Sequence, residues 1–494
     1  MSRQRLKEYH GKRDLSRSGE PSGASGTQDG GQGFVIQRHD ASSLHFDVRF
    51  EVDGVLASWA VPKGPSTDPR EKRLATRTED HPLDYAAFEG VIPEGYGAGS
   101  VVVWDVGSYD NLTTDDDGEP VPVAKALERG HLKLGLHGRH LHGTFALTHT
   151  RMRGDDRNWL LIKVDDETAD RRANPVSSSP ESVLTARSNE AVAEAAQQSG
   201  REVDIPNPDK PMFPEDDITK SELVHYYESV AEAMLPHLRG RPLALRRYPD
   251  GVGSKGFVQQ AAGHVPDWVR VESVPRADGE GDVEHIVCDD LSTLRYLAGQ
   301  AALELHAWTS RVGRLDCPDR LVMDLDPSDG TSVADLRECA RRTRKLLVEV
   351  GLHGFVQTTG SRGFHVVAPL DTSASFEVVR KLARGVAEAL ERRHPDDYTT
   401  EQRIADRGDR IFLDTGRNAY GQTAVVPYSL RAKPGAPAAT PLDWSELGGA
   451  EPTGHGLRSL PRRLGQKTDP WALIELCAGC AQPALERLSE LSDD

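Results

Sequence analysis

"LHFDVRFEV", residues 44–52, alternates strictly between apolar and polar side chains. Successive residues of a β-strand point to opposite faces of a sheet. Phe46, Val48 and Phe50 therefore share one face, and His45, Asp47 and Arg49 share the other. Similar short segments recur from residue 34 to 165: "FVIQRH", "VLASWAV", "GSVVVWDVGSY", "GTFALTHT" and "NWLLIKV", separated by Gly, Pro and Asp. Short strands at this spacing predict a small antiparallel β-barrel or sandwich. A chain of 494 residues is too long for one such core, so more than one domain is expected.

The texture changes downstream. Residues 1–33 are polar and rich in Gly and Ser, and read as an N-terminal arm. Residues 166–203 have no sustained apolar face and read as a flexible linker. From 204 to 494, strands and helices interleave, which predicts an α/β or α+β domain. "ITKSELVHYYESVAEAMLPHL" opens with a Thr219-x-x-Glu222 capping signal and carries Leu223, Tyr226, Val230 and Met234 at helical spacing. No apolar run is long enough to cross a membrane, and the N-terminus lacks the apolar core of a secretory signal. Five cysteines without paired metal spacing fit free thiols in a reduced cytoplasm. The net charge of -17 does not favour nucleic-acid binding as a whole. Local patches decide that question, and residues 131–153 contain no acidic side chain. Within that stretch His140 and His142 are expected on one strand face, as part of a phosphate-facing surface.

Two clusters carry chemistry. His45, Asp47 and Arg49 project together, and His39 precedes them by a distance that a turn could close. Two imidazoles and a carboxylate suit Mn²⁺ or Zn²⁺ with coordination positions left open. An arginine beside them offers a planar fork for a phosphate oxygen. By spacing alone the same residues also fit a solvated outer face. Nearby segments add Lys63, His81 and Tyr85. The second cluster is "RLVMDLDP", which puts Asp324 and Asp326 on one strand face, with Asp414 in "RIFLDTGRN" as a third carboxylate. Adjacent carboxylates repel unless a cation lies between them, and two ions about 4 Å apart can clamp an in-line phosphoryl transfer. "TTGSRGFHVV" (358–367) reads as a turn whose backbone N–H groups cradle phosphates, assisted by Ser361, Arg362 and His365. His306 in "ALELHAW" is a further candidate.

The first cluster, with "FVIQRHDASSLHFDVRFE", "LASWAVPKG" and "EDHPLDYAAFEGVIPEGYGAG", resembles the 3′-phosphoesterase module of bacterial DNA ligase D. The resemblance implies a Mn²⁺-dependent barrel that removes 3′ ribonucleotides and 3′ phosphates. It implies His39, His45 and Asp47 as metal ligands and Arg49, His81 and Tyr85 as phosphate-contacting and catalytic groups. Arg13, Lys63 and Arg73 would contact phosphate, with Asp14, Glu20, Gln37 and Glu79 in support, so that part of the arm orders over the site.

The second region, with "NPDKPMFPEDDITKSELVHYY", "RPLALRRYPDG", "TTGSRGFHVVAPL" and "AVVPYSLRAKPGAP", is similar to the polymerase module of the same enzyme, a member of the archaeo-eukaryotic primase superfamily. This implies template-dependent addition of NTP or dNTP. Asp324, Asp326 and Asp414 would hold two Mn²⁺ or Mg²⁺ ions. Ser361, Arg362, His365 and His306 would contact nucleotide phosphates, and Arg246, Arg247, Lys255 and Asn418 template or nucleotide. Gln260 and Arg362 stand where the family often has lysine.

No lysine occupies a K-x-D-G setting, since "EVDG" (51–54) and "YPDG" (248–251) lack it. The expectation is a DNA end-processing enzyme of non-homologous end joining without ligase activity. It would be cytoplasmic and nucleoid-associated, act on DNA ends and primer-templates, and work with Ku and a separate ATP-dependent DNA ligase. The rival readings are a phosphoesterase whose weak polymerase domain docks DNA, and a non-enzymatic end-bridging scaffold.

Overall fold

The computed structural model describes residues 5–13, 15, 20–21, 31–93, 95, 97–150, 155–198 and 201–493. The chain forms two compact units, Met1–Gln198 with Ala472–Ala478, and Ser199–Trp471 with Gly479–Asp494.

The first unit is an antiparallel β-barrel. Its strands are β1 (Gly33–Asp40), β2 (Leu44–Val52), β3 (Val55–Val61), β4 (Lys72–Arg77), β5 (Gly90–Ile92), β6 (Gly99–Asn111), β7 (His131–His137), β8 (His142–His149) and β9 (Asn158–Lys163). Eight of them run in the order β1-β2-β3-β4-β9-β8-β7-β6, and β6 pairs back onto β1 to close the barrel. Short β5 lies beside β6. Closure removes the exposed strand edges an open sheet would carry. The alternation of β2 sets the geometry: Phe46, Val48 and Phe50 join Trp59 and Trp104 in the barrel core. The β2–β3 turn is Asp53-Gly54, with φ of 52° and 78°. Two consecutive positive φ values match the right-handed strand twist, which is why Asp-Gly serves here. This turn fixes the register that places Arg49 opposite Ser58.

The outer faces of β1, β2, β3 and β6 carry a second cluster, where Val35, Leu56 and Val103 pack under Tyr9, Tyr85, Leu184, Leu473 and Leu476. Three expectations are corrected by this layer. Residues 166–198 are not a free linker throughout: Trp104 Nε1 donates to the Ser179 carbonyl at 2.7 Å, and buried Asn189 donates to the Ser100 carbonyl at 2.7 Å. Anchoring here rests on single residues such as Leu184 and Asn189, so no apolar period marks it. Residues 472–478 pack with the barrel rather than with the rest of 204–494, through Leu473, Leu476 and a buried 3.1 Å pair between Arg139 and Glu475. His140 does not share a strand face with His142. It sits in the β7–β8 turn, whose Arg139, His140 and Leu141 N–H groups all donate to the buried Asp105 carboxylate.

The second unit contains two principal sheets. A four-stranded sheet has the order Phe257–Gln259, Leu243–Arg247, Ala302–Trp308, Thr423–Val425. A six-stranded sheet has the order Tyr398–Thr399, Ile411–Asp414, Arg320–Asp326, Phe364–Pro369, Phe355–Thr358, Pro441–Leu442. Helix Lys220–Leu238 starts with the Thr219/Glu222 capping box and packs Tyr226, Tyr227 and Val230 against Leu303 and Leu305. Helices Val333–Glu349 and Phe376–Arg393 cover the Leu321, Met323 and Leu325 face of the six-stranded sheet. Burying each such leucine contributes roughly 1.5–3 kcal/mol. Strand alternation then turns Asp324 and Asp326 to the opposite face.

Two candidate metal centres

On the barrel, the tight turn between β1 and β2 brings the imidazole pair together. His39 lies directly opposite His45 and Gln37 opposite Asp47. The His39 and His45 rings are 4.7 Å apart, and one ligand atom from each of His39, His45 and Asp47 lies within 4.8 Å of the others. The tautomers suit a metal. His39 Nε2 sits 2.9 Å from the Gly97 carbonyl and His45 Nδ1 3.0 Å from that of Ser43. A carbonyl only accepts, so each of these nitrogens carries the hydrogen. The lone pairs of His39 Nδ1 and His45 Nε2 are left toward Asp47, at 3.6 and 3.8 Å. Burial raises the Asp47 pKa, but Arg49 and the two histidines outweigh it and hold the carboxyl well below its usual range.

Arg49 is 2% exposed and hydrogen-bonded through all three of its nitrogens. Its Nε donates to Gln37 Oε1 at 2.8 Å, NH1 to Ser58 Oγ at 2.9 Å and NH2 to Asp47 Oδ2 at 3.0 Å. The expectation of a guanidinium open toward phosphate is thus modified: Arg49 first orients the ligand Asp47. Gln37 Nε2 donates to the Tyr85 and Phe88 carbonyls. Beside them His81 is buried. Its Nδ1 lies 2.9 Å from the Glu79 carbonyl, so Nδ1 carries the hydrogen and Nε2 accepts from Arg13 NH2 at 3.0 Å. Burial, then Arg49 and Arg13, push the His81 pKa well down. Arg13 also donates to Glu20 at 2.9 Å and Glu79 at 2.7 Å, and Tyr85 OH donates to Glu20 at 3.0 Å. Burial keeps Tyr85 protonated far above the ordinary phenol range.

Not every candidate joins this group. Lys63 is exposed beyond the end of β3. Arg73 stands on the inward face of β4 with Ala75, on the other side of the sheet from Asp47, and pairs with Glu71. Asp14 lies outside the described residues. Ser58 was missed by sequence reasoning, although counting outward from the Asp53-Gly54 turn finds it opposite Arg49.

In the second unit, Asp324 is flanked by Asp414 on one neighbouring strand and by His365 on the other. Ligand atoms of Asp324, Asp326 and Asp414 fall within 4.8 Å of one another. His365 Nε2 is 3.3 Å and Arg417 Nε 3.6 Å from Asp324. Burial raises the Asp324 pKa, but His365 and Arg417 hold it below the usual carboxylate value. Asp326 is pushed up to about 6 by burial and by Asp324 and Asp414. One partly buried carboxyl therefore bears the cost of crowding, as expected of a site that binds cations.

The turn at 358–363 differs from the expected cradle of free N–H groups. The Ser361 and Gly363 N–H groups are satisfied by Thr359 Oγ1 at 3.2 and 3.3 Å. The groups offered outward are side chains. Lys433 Nζ donates to Ser361 Oγ at 2.7 Å, and Arg362 is largely exposed, 3.8 Å from Asp329. His306 lies on the four-stranded sheet, 3.5 Å from Glu304, which also accepts from Arg431 Nε at 3.1 Å. Lys433, Arg431, Glu304 and Arg417 lie in the quoted stretches "AVVPYSLRAKPGAP", "ALELHAW" and "RIFLDTGRN" but were not singled out there. Asn418 is fully buried and spends its amide on backbone: it donates to the Val322 and Thr415 carbonyls and accepts from the Val322 N–H. It is not placed to touch nucleotide or template. Arg247 is tied to Gln259 and Gln300.

Both units match known domains. Residues 219–471 match the family described as LigD, primase-polymerase domain, and residues 37–149 match the DNA Ligase D 3′-phosphoesterase domain. The multifunctional non-homologous end joining protein LigD of Pseudomonas aeruginosa is 45% identical over 206 residues, covering 40% of this chain and 24% of that protein. The bifunctional LigD of Bacillus subtilis is 32% identical over 241 residues, covering 48% and 38%. The chain thus spans between about a quarter and two fifths of the length of these relatives. A solved polymerase domain of Mycobacterium tuberculosis ligase D in complex with DNA superposes with a TM-score of 0.53 at 32% identity, covering 56% of this chain and 99% of that one. The chain belongs to the LigD primase-polymerase family and carries a LigD 3′-phosphoesterase domain ahead of it.

Proposed function

We propose that this chain processes DNA ends in non-homologous end joining, trimming 3′ ribonucleotides and 3′ phosphates at the barrel site and adding nucleotides to the end at the acid site. The observation that carries the reading is that each unit holds one preorganised ligand set: two imidazoles and an acid on the barrel, three acids in the other unit. His39, His45 and Asp47 fit Mn²⁺; Asp324, Asp326 and Asp414 fit two Mg²⁺ or Mn²⁺ ions. When bound, these ions supply Lewis acidity at a phosphoryl oxygen.

The residues do the rest. At the barrel, Arg49 fixes Asp47, while protonated Tyr85 stands by as a donor toward the ester oxygen and neutral His81 as an acceptor at Nε2. Arg13, held by Glu20 and Glu79, sets the orientation of His81. At the acid site, Ser361, Arg362, Lys433 and His306 offer hydrogen bonds to NTP or dNTP phosphates, and His365 steadies Asp324. Ku would deliver the DNA end, and a separate ATP-dependent ligase would seal the product. Among the described residues no helix is long and apolar enough to cross a membrane, which fits work at the nucleoid in the cytoplasm.

The test is a primer-template ending in one 3′ ribonucleotide, incubated with Mn²⁺ with and without NTPs. Shortening of the primer without NTPs and lengthening with them are expected. Shortening abolished by Asp47→Asn alone and lengthening abolished by Asp326→Asn alone would assign the activities. Loss of both in either variant, or neither activity in the wild type, would overturn the proposal.

A further inference from the structure

Gln357 carries no role in the sequence reading, yet its amide meets His365, a candidate for contacting nucleotide phosphates. It lies directly opposite His365 in the six-stranded sheet and is 1% exposed. Its Nε2 is 3.3 Å from His365 Nδ1 and 3.4 Å from the Val425 carbonyl oxygen. The Val425 carbonyl can only accept, so the amide nitrogen must face it. That same nitrogen faces His365, which makes His365 Nδ1 the acceptor. The ring hydrogen is then carried on Nε2, the atom 3.3 Å from Asp324 Oδ1.

The other end of the amide is accounted for by a cavity. Among the described residues Gln357 Oε1 has no hydrogen-bond partner, nor has Thr309 Oγ1. Both residues line one cavity of about 50 Å³, bordered by His365, Val322, Trp308 and Arg241. A cavity needs only roughly 10–15 Å³ to hold a water, so there is room for one here. Water there can donate to Gln357 Oε1 and keep the amide from rotating.

We propose that Gln357 is a positioning residue for nucleotide addition, holding His365 in the tautomer that presents its Nε2 hydrogen to Asp324 and to the phosphates of an incoming nucleotide. This rests on the polymerase reading of the acid site. Gln357 acts through His365, because a glutamine donor accepts no alternative from a neutral imidazole than the bare Nδ1.

The test uses the full chain labelled with ¹⁵N-histidine, His365 being assigned by its loss in His365→Gln. In the metal-free wild type, a bare Nδ1 and a protonated Nε2 are expected; a protonated Nδ1 would overturn the proposal. Gln357→Met cannot donate, and a mixture of tautomers is expected, with the KM for NTP raised about fivefold or more and the KM for primer-template within twofold. Gln357→Glu can only accept, so Nδ1 should carry a hydrogen as well as Nε2. An unchanged ring protonation in both variants, or a changed one with KM for NTP within twofold of the wild type, would overturn the proposal. A wild type that adds no nucleotide would instead sink the polymerase reading, and the ¹⁵N spectrum would still decide which nitrogen Gln357 faces.

Discussion

Asp324 stands directly opposite Asp414 across two antiparallel strands, with a ligand oxygen of each within 4.8 Å of the other and of Asp326. Like charges placed opposite one another destabilise a sheet, and here the cost is concentrated on Asp326. Burial and its two neighbours raise its pKa from 3.8 to about 6. A carboxyl raised on folding is bound more tightly to its proton in the native state. It favours folding at low pH, and that stability is lost as pH rises from about 4 through 6. In EDTA, Asp326→Asn should therefore melt higher than the wild type at pH 7.5, by on the order of 1 kcal/mol or ~2–4 °C. The gap should close as pH falls toward 4. Mn²⁺ should raise the melting temperature of the wild type much more than that of the variant. A melting series across pH, with and without Mn²⁺, checks all three outcomes.

Arg49 gives the barrel its clearest mutational signature. One guanidinium satisfies Gln37, Ser58 and Asp47 at once. Lysine keeps the charge but cannot span three divergent acceptors. Arg49→Lys is expected to cost roughly 2–4 kcal/mol in folding of the barrel, because buried partners lose their donor. It should cut 3′-end trimming at least about a hundredfold, with nucleotide addition within twofold. Urea melts and the two end-processing assays separate these effects.

Much of this was legible in the strands and little of it in the segments between them. The two-residue period of β2 assigned Phe46 to the core and Asp47 to the outer face, and the Asp53-Gly54 turn fixed the register. The same rule could not place Arg73, whose face depends on how β4 pairs with β9 rather than on its own sequence. Thr359 took up N–H groups that a reading of "TTGSRG" leaves free, since a side-chain hydroxyl competes locally with any ligand. Residues 166–198 pack through scattered anchors, and a periodicity argument sees only faces. Gln357 carries no motif; only the pairing with His365 gives it meaning.

His81 predicts an acid limb. Burial, with Arg49 and Arg13 close by, depresses its pKa well below 6.5. The unfolded chain takes up a proton near 6.5 and the folded barrel does not. The stability is complete above that pH and is lost as pH falls below it. His81→Gln should flatten the pH dependence of barrel unfolding between about 6.5 and 5, while lowering the stability at pH 7.5 because the buried ring's contacts with Tyr9 and Tyr85 are lost. Denaturation by urea at three pH values measures the slope directly.

Asn418 tests whether a buried amide can stand in for a strand. The Ile411–Asp414 strand stops at the residue facing Asp324, so it offers no backbone to Val322. Asn418 supplies the missing ladder: Oδ1 accepts from the Val322 N–H at 2.8 Å, and Nδ2 donates to the Val322 and Thr415 carbonyls at 2.7 and 3.0 Å. Asn418→Ala strands the buried Val322 N–H and carbonyl, at a cost of roughly 2–4 kcal/mol, while the Thr415 carbonyl keeps the backbone N–H of residue 418. Asn418→Asp should be no milder, since a carboxylate would face two carbonyls it cannot donate to. Both variants should weaken Mn²⁺ binding at the acid site by letting Asp414 drift from Asp324, and slow nucleotide addition about tenfold or more, with KM for primer-template within twofold. An Asn418→Ala protein as stable as the wild type, with a raised KM for template, would instead make this side chain a DNA contact.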